Sequence, residues 1–172
     1  MANSIYLRYQ ETFDYTIGVS SYVFSKIPGL TFAINHDRPM LYRLQFQGSC
    51  VLSTRDNNGF VRFLIDGRVL ISNYLVNNND QRHLLAPELG SSVIEIDHRG
   101  GGMIYSGGGG ADVGMACSKS DIVYMPQGTH IVEVAARMRD LGALHVLGGQ
   151  LSIELTQYDS DVNLGLSHPV IR

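Results

Sequence analysis

The sequence contains no tryptophan, and only two of its 172 residues are cysteine. The spacing of Cys50 and Cys117 matches no CxxC motif, which excludes the common short signatures of metal and thiol redox chemistry. We expect both thiols to be free and buried, because free cysteine behaves as a small hydrophobic residue. A disulfide is the alternative if the fold brings the two Cα atoms within about 7 Å of each other.

Charged residues are also scarce, at 17% of the chain. Thirteen Lys and Arg stand against sixteen Asp and Glu, a formal net charge of −3. The chain therefore has no overall positive charge with which to bind nucleic acid. A hydrophobic content of 44% argues against disorder, and 172 residues suit one domain.

Long apolar runs are absent as well. No stretch approaches about 18 consecutive apolar residues, so we expect no membrane insertion. Residues 1–8 lack the basic segment followed by an apolar segment that marks a signal peptide. We therefore expect synthesis in the cytoplasm without a signal peptide, with the virion surface as one destination.

The chain does contain a repeated alternation of apolar and polar residues. From residue 42 the even positions are mostly apolar, whereas the odd positions are mostly polar: Tyr42, Leu44, Phe46, Cys50 and Leu52 against Arg43, Gln45 and Gln47. This period predicts a strand with one buried face. Similar patterns over residues 30–34, 92–98, 129–138 and 150–157 predict further strands.

Two segments need separate interpretation. Asp66-Gly67 lies between apolar runs and predicts a tight hairpin, because a type I′ turn requires positive φ at both central residues. Residues 133–147 are rich in helix formers, yet Gly142 disfavours a helix and both flanking segments are strand-like. We interpret this stretch as a strand followed by a loop, with a short helix as the alternative.

Motifs of known chemistry are missing. Residues 100–114 are glycine-rich but lack the spacing of a nucleotide-binding loop, and we expect a loop or ragged edge strands there. The six histidines form no HxH or HxxxH pair, so we predict no metal and no cofactor. His130 shares an alternating face with Val132 and Val134, which predicts a buried, hydrogen-bonded histidine.

Sugar binding would have to rely on side chains other than tryptophan. Loop-proximal amide, carboxylate, guanidinium and phenol groups are the candidates for such a site: Asn58, Tyr74, Asn78, Asp80, Arg82 and Tyr105. The alternative to sugar binding for the tyrosines is a purely structural role in a strand, with the ring buried and the hydroxyl exposed.

Two segments resemble a known family. Residues 61–67 read Val-Arg-Phe-Leu-Ile-Asp-Gly, and residues 125–134 read Met-Pro-Gln-Gly-Thr-His-Ile-Val-Glu-Val. In this order they resemble the jelly-roll modules of the tumour necrosis factor and complement globular-head type, which also occur in phage and bacterial surface proteins. The resemblance covers residues 41–155, implies a sandwich that forms a compact homotrimer, and carries over no catalytic residue.

We therefore predict an all-β protein, an antiparallel jelly-roll sandwich of about eight to ten strands. Residues 1–158 form the single jelly-roll domain, with residues 1–20 as an N-terminal arm. Residues 159–172 form a C-terminal tail that packs on a neighbour. The apolar residues on both faces of residues 60–65 also favour association with a partner.

The predicted function is that of a non-catalytic, oligomeric structural or adhesive module. A virion decoration or tail-associated protein is its most concrete form, with copies of itself, a capsid or tail scaffold, or a cell-surface glycan as partners. The first alternative is a soluble sugar-binding lectin of the same fold. The second is a cupin-like metal-dependent enzyme, which would need a histidine pair and a carboxylate on neighbouring strands.

Overall fold

The structure is a computed structural model that describes residues 3–18, 21–106, 114–139, 142–158 and 165–172. These residues form strands connected by loops and a short helical segment. The strands are β1 Asn3–Gly18, β2 Ser25–His36, β3 Met40–Leu52, β4 Asn58–Ile65, β5 Arg68–Ile71, β6 Tyr74–Asn77, β7 Met103–Tyr105, β8 Gly114–Met125, β9 Gly128–Met138, β10 Ala143–Gln157 and β11 Val170–Ile171. The helices are α1 Arg82–Leu85 and α2 Val93–Arg99, with a 3₁₀ turn at Pro87–Leu89 between them.

The strands form two sheets. The smaller sheet has the order β1-β10-β3-β8, and the larger sheet has the order β11-β6-β5-β4-β9-β2, with β7 also paired to β4. Successive long strands alternate between the sheets, and neighbours are antiparallel except for the parallel pair β6 and β11. This topology is the predicted all-β antiparallel jelly-roll sandwich.

The core lies between the two sheets, as the alternation in β3 predicted. Tyr42, Leu44 and Phe46 are fully buried, whereas the intervening Gln45 and Gln47 are exposed on the outer face. Burying each large apolar side chain contributes about 1.5–3 kcal/mol.

The predicted hairpin is also confirmed, because Asp66 and Gly67 have φ values of 54° and 76° and connect β4 to β5.

The two cysteines form a disulfide, so the expectation of free thiols is wrong. Cys50 on β3 and Cys117 on β8 have Cα atoms 5.9 Å apart. The strand register makes them diagonal neighbours, since Cys117 lies opposite Gly48. A bond across 67 residues restricts the unfolded chain and contributes about 4 kcal/mol in the loop-entropy description.

The strand predicted over residues 92–98 is also wrong, because this segment is the helix α2. Ser92 caps its start, with Oγ accepting the backbone N–H of Glu95 at 3.2 Å. The Glu95 carboxylate in turn accepts the backbone N–H of Ser91 at 2.8 Å. Val93 and Ile96, three positions apart, share the buried face. The strand predicted at the start of residues 133–147 is confirmed over 133–138, whereas the loop predicted to follow it is wrong over residues 143–147, because β10 begins at Ala143 and pairs with β1 and β3.

Both ends of the chain contribute strands. The segment set apart as an N-terminal arm contains β1, the edge strand of the smaller sheet. The described part of the C-terminal tail packs on its own chain, where Val170 N–H donates to Asn73 C=O at 2.8 Å. Within the glycine-rich stretch, Met103–Tyr105 forms β7, and residues 107–113 lie outside the described part of the chain. The domain boundary at residue 158 stays a prediction.

Candidate functional site at the open side of the sandwich

The six residues predicted to bind sugar fall in three separate places. Asn58 and Tyr105 lie opposite each other on β4 and β7. Asn58 is buried, whereas Tyr105 is exposed and donates its hydroxyl to Asp56 Oδ1 at 3.0 Å. Tyr74 begins β6, where it lies opposite Val170.

The other three candidates lie at the start of α1 or just before it. Asn78 holds the backbone of Phe24 through two hydrogen bonds of 2.9 Å, and Asp80 is exposed. Arg82 is fully buried and donates to Asp97, so it offers no surface to a ligand. The structure does not bring the six residues together, and sugar binding by this set stays a prediction.

Arg82 belongs to a buried charged cluster that the sequence analysis missed. The side chains of Arg62, Arg82 and Arg137 are fully buried around Asp97. Asp97 Oδ2 accepts hydrogen bonds from Arg82 Nη2 and Arg137 Nε, both at 2.6 Å. The Arg62 guanidinium donates to the backbone oxygen of Asp97. The cluster therefore anchors α2 on the outer face of the larger sheet.

Contacts around this cluster offset part of the free energy that is lost when its charged groups are removed from water. Aromatic rings line it, with the Arg137 guanidinium 4.8 Å from the centroid of Phe60. Burial lowers the pKa of Arg62 to about 10, although Asp97 opposes the shift. Burial also lowers the pKa of Arg82. Because none of the three guanidinium groups is exposed, the cluster holds α2 against the sheet and offers no charged group to a ligand.

Among the described residues, the large apolar side chain with the highest exposed fraction lies on the edge strand β1. Phe13 is 78% exposed, and Ile5, Tyr6 and Tyr9 of the same strand are also exposed. Isolated exposed apolar residues are ordinary, but several on one edge strand are typical of an interaction surface. The open side of the sandwich, where β1 and β2 form adjacent sheet edges, is therefore the candidate site.

A bulge interrupts part of this edge and disfavours strand pairing there. The register between β1 and β10 shifts between Glu11 and Asp14. The Glu11 carboxylate accepts the backbone N–H groups of Thr12 at 2.8 Å and Phe13 at 3.0 Å. Gly29, with φ of 80°, lies against this carboxylate where a larger residue would clash. At the bulge itself, contacts with another molecule are therefore made by side chains rather than by strand pairing.

An apolar groove lies next to this edge. Its volume is about 560 Å³, and its apolar lining comes from β1, β2, β3 and β10: Ile5, Leu7, Phe32, Ile34, Met40 and Leu155. His36 and Asp37 line one end and make it polar. A mostly apolar concavity with a few polar groups is the usual form of a binding pocket.

The polar end of the groove rests on ordered hydrogen bonds. His36 Nδ1 donates to Arg38 C=O at 2.7 Å, and its Nε2 accepts the Tyr42 hydroxyl at 2.5 Å. Burial lowers the pKa of His36 and raises the pKa of Tyr42, so both are neutral at pH 7. This tautomer of His36 fixes its ring at the rim of the groove.

His130 lies behind His36, with ring centroids 5.5 Å apart. It is 8% exposed, with Nδ1 2.8 Å from Asp66 Oδ2 and Nε2 3.0 Å from Pro126 C=O. The prediction of a buried, hydrogen-bonded histidine is confirmed.

The described ranges contain neither a candidate metal site nor a candidate membrane-spanning helix. No group of three or more His, Cys, Asp or Glu side chains in these ranges is placed to hold a metal ion. No helix in them has the length and apolar character needed to cross a membrane. The predicted absence of enzymatic activity stays a prediction.

Comparison with known proteins gave a likeness to a solved structure and no sequence match. No protein-family model matches the sequence, and no curated protein matches it. Among solved structures, the chain is similar to Eiger TNF from S. frugiperda, with 6% identity, a TM-score of 0.47, and coverage of 93% of this chain and 98% of that one. The assignment of the chain as an all-β jelly-roll sandwich rests on its own strand order, and the likeness to this structure carries no argument about function.

Proposed function

We propose that this chain is a self-associating jelly-roll module with a structural or adhesive role. The observation that carries the proposal is the pairing of a projecting aromatic residue with an apolar groove on one side of the sandwich. Phe13 is 78% exposed on the bulge of β1, and the groove lies at the other end of the same strand, beside Ile5 and Leu7.

A second copy of the chain is the occupant that fits this arrangement. Phe13 and Ile5 are eight positions apart on β1, which corresponds to about 26 Å at 3.3 Å per residue. Phe13 therefore cannot enter the groove of its own chain. The Phe13 of another copy can, and an aromatic side chain buried in a pocket is a recurring form of energetic anchor in protein interfaces.

This contact is compatible with a closed ring. When a projection on one copy fills a groove on the next without being reciprocated, the interface is heterologous, and repetition by a rotation that closes generates a ring, whereas a reciprocated contact gives a twofold dimer. We propose the homotrimer as that ring. A stable contact of this kind buries about 800 Å² on each partner, so residues beside Phe13 on β1, such as Tyr9, would contribute as well.

A variant at Phe13 tests the contact. We expect Phe13→Ser to weaken association at least tenfold in sedimentation velocity, because the loss of an aromatic anchor costs about 2 kcal/mol or more. Leu84→Ser is the matched control, since Leu84 on α1 is also exposed and apolar. Equal association of both variants and the wild-type chain would show that copies do not meet through Phe13.

The setting of the module stays a prediction. The sequence predicts association with a virion, capsid or tail scaffold, and no contact among the described residues bears on this prediction. Purified particles from a producing host, analysed by mass spectrometry for peptides of this chain, would test the virion setting independently of the oligomeric state.

A further inference from the structure

The polar end of the apolar groove contains a group that titrates near neutral pH. His36 lines this end together with Asp37, whereas the rest of the lining is mainly apolar. The His36 ring is half-buried at the rim. Imidazole is the side chain whose ordinary pKa lies closest to neutral pH, so mild acidification is enough to change the charge of this part of the groove.

Both ring nitrogens of His36 already have hydrogen-bond partners. Nδ1 donates to the carbonyl oxygen of Arg38 at 2.7 Å, and Nε2 accepts the hydroxyl of Tyr42 at 2.5 Å. Tyr42 is fully buried, and its hydroxyl keeps this acceptor only while Nε2 carries no proton. A second proton on the His36 ring therefore takes the acceptor away from a buried donor, which is unfavourable.

The remaining groups around His36 act in opposite directions. The His130 ring on β9 lies with its centroid 5.5 Å from that of His36, and the Asp66 carboxylate lies 2.8 Å from His130 Nδ1. Burial lowers the pKa of His36, and repulsion from His130 adds to this effect, whereas the Arg38 carbonyl and the Asp37 carboxylate counteract it. The lowering prevails, so the empty groove already favours the neutral ring.

An occupant of the groove strengthens this preference. The argument at this step rests on the proposed function, in which the Phe13 ring of a second copy fills the groove. An apolar ring displaces water from the polar end, and loss of water disfavours the charged form of imidazole. Asp37 offers little compensation, because it is exposed and its charge is screened by solvent.

We infer that His36 makes self-association of this chain sensitive to acid. At neutral pH its uncharged ring accepts the Tyr42 hydroxyl and forms the rim of the groove. At acidic pH the ring takes up a proton, ceases to accept that hydroxyl and places a charge at the rim, so the groove releases the aromatic ring of the neighbouring copy. Proton uptake and assembly are thereby linked, since each occupied groove disfavours the proton and each proton disfavours occupation.

Sedimentation velocity of the full chain over a range of concentrations, at pH 7.5 and pH 5.0, tests this inference. We expect the wild-type chain to need about tenfold more protein to assemble at pH 5.0, because assembly must then displace protons from His36. His36→Gln has no titratable ring, so this ratio should be close to one, whatever its affinity. His98→Gln is the matched control, since it removes an exposed histidine on α2 and should keep the wild-type ratio.

Tyr42→Phe is a second test that retains His36, and it decides the outcome if His36→Gln assembles at neither pH. The substitution removes the hydroxyl that stabilises the neutral ring. His36 should then take up its proton more readily, and the midpoint of acid dissociation should move to higher pH than in wild type. A midpoint that is unchanged, or that moves to lower pH, would overturn the inference.

The outcomes separate this inference from the proposed function. Equal assembly of the wild-type chain at the two pH values would overturn the inference and leave self-association intact, whereas a monomer at pH 7.5 would overturn both. Acid sensitivity that persists in His36→Gln, or that disappears in His98→Gln, would also overturn it. The near-ultraviolet circular dichroism spectrum should be the same at both pH values, and its loss at pH 5.0 would show that acid acts by unfolding the chain instead.

Discussion

The carboxylate of Glu11 accepts the backbone N–H of Phe13 at 3.0 Å, on the exposed edge of the smaller sheet. This one contact does two things. It occupies a backbone donor that another strand could otherwise pair with, and it stabilises the bulge from which the Phe13 ring projects. Edge protection and the proposed association surface are therefore built from neighbouring residues.

Glu11→Ala should make the protein aggregate faster. The substitution frees the backbone N–H groups of Thr12 and Phe13, and an unpaired edge strand is a template for pairing with another molecule. Light scattering at equal protein concentration over several days measures the effect. Glu11→Gln is the control, because it keeps an acceptor oxygen and should aggregate at the wild-type rate. Light-scattering time courses that match for all three proteins would refute this role of Glu11.

Asp97→Ala should lower the free energy of unfolding by about 3–5 kcal/mol, because it leaves buried cations without their counter-charge. The side chains of Arg82 and Arg137 both pair with Asp97 and have no exposed surface. Urea denaturation followed by circular dichroism measures the change. Asp80→Ala, at an exposed position, should change the same quantity by about 0.5 kcal/mol or less. A small effect of Asp97→Ala would mean that the cluster does not anchor α2.

The pH dependence of stability should carry a contribution from His36. Its pKa in the folded protein is lowered from 6.5, mainly by burial, so the folded state binds the proton less readily than the unfolded state. The contribution of His36 is therefore fully present above pH 6.5 and is lost as the pH falls through the lowered pKa.

Denaturant titrations of wild type and His36→Gln between pH 8 and pH 5 test this sign. The difference between the two proteins cancels titrations elsewhere in the chain. We expect the wild-type free energy of unfolding to fall more steeply below pH 6.5 than that of His36→Gln. Parallel curves, or a steeper fall in the variant, would contradict the burial of His36 at the rim of the groove.

Local patterns in the sequence predicted much of the fold. The alternation in β3 follows directly from the pleat, and Asp66-Gly67 fixes a turn through its own backbone geometry. The segment over residues 92–98 shows the limit of this reasoning. In this short window Ile94 and Ile96 alternate with polar residues, which is compatible with a strand. However, Ser92 followed three residues later by Glu95 is a helix-capping signal, and this signal is present in the sequence.

Features that depend on contacts distant in sequence could not be predicted. The bond between Cys50 and Cys117 requires the register of β3 against β8. The partner of Arg62, Asp97, is 35 residues away and lies on a helix. The groove at β1 depends in the same way on which strands form the sheet edges, so no single segment of the sequence reveals it.

The molar mass of the wild-type chain in solution tests the central claim most directly. Size-exclusion chromatography with multi-angle light scattering at micromolar concentration should give three times the chain mass of 18.9 kDa. A dimer would retain self-association but contradict the ring. A single species at 18.9 kDa across the whole concentration range would contradict the proposal that copies of this chain cover its open side.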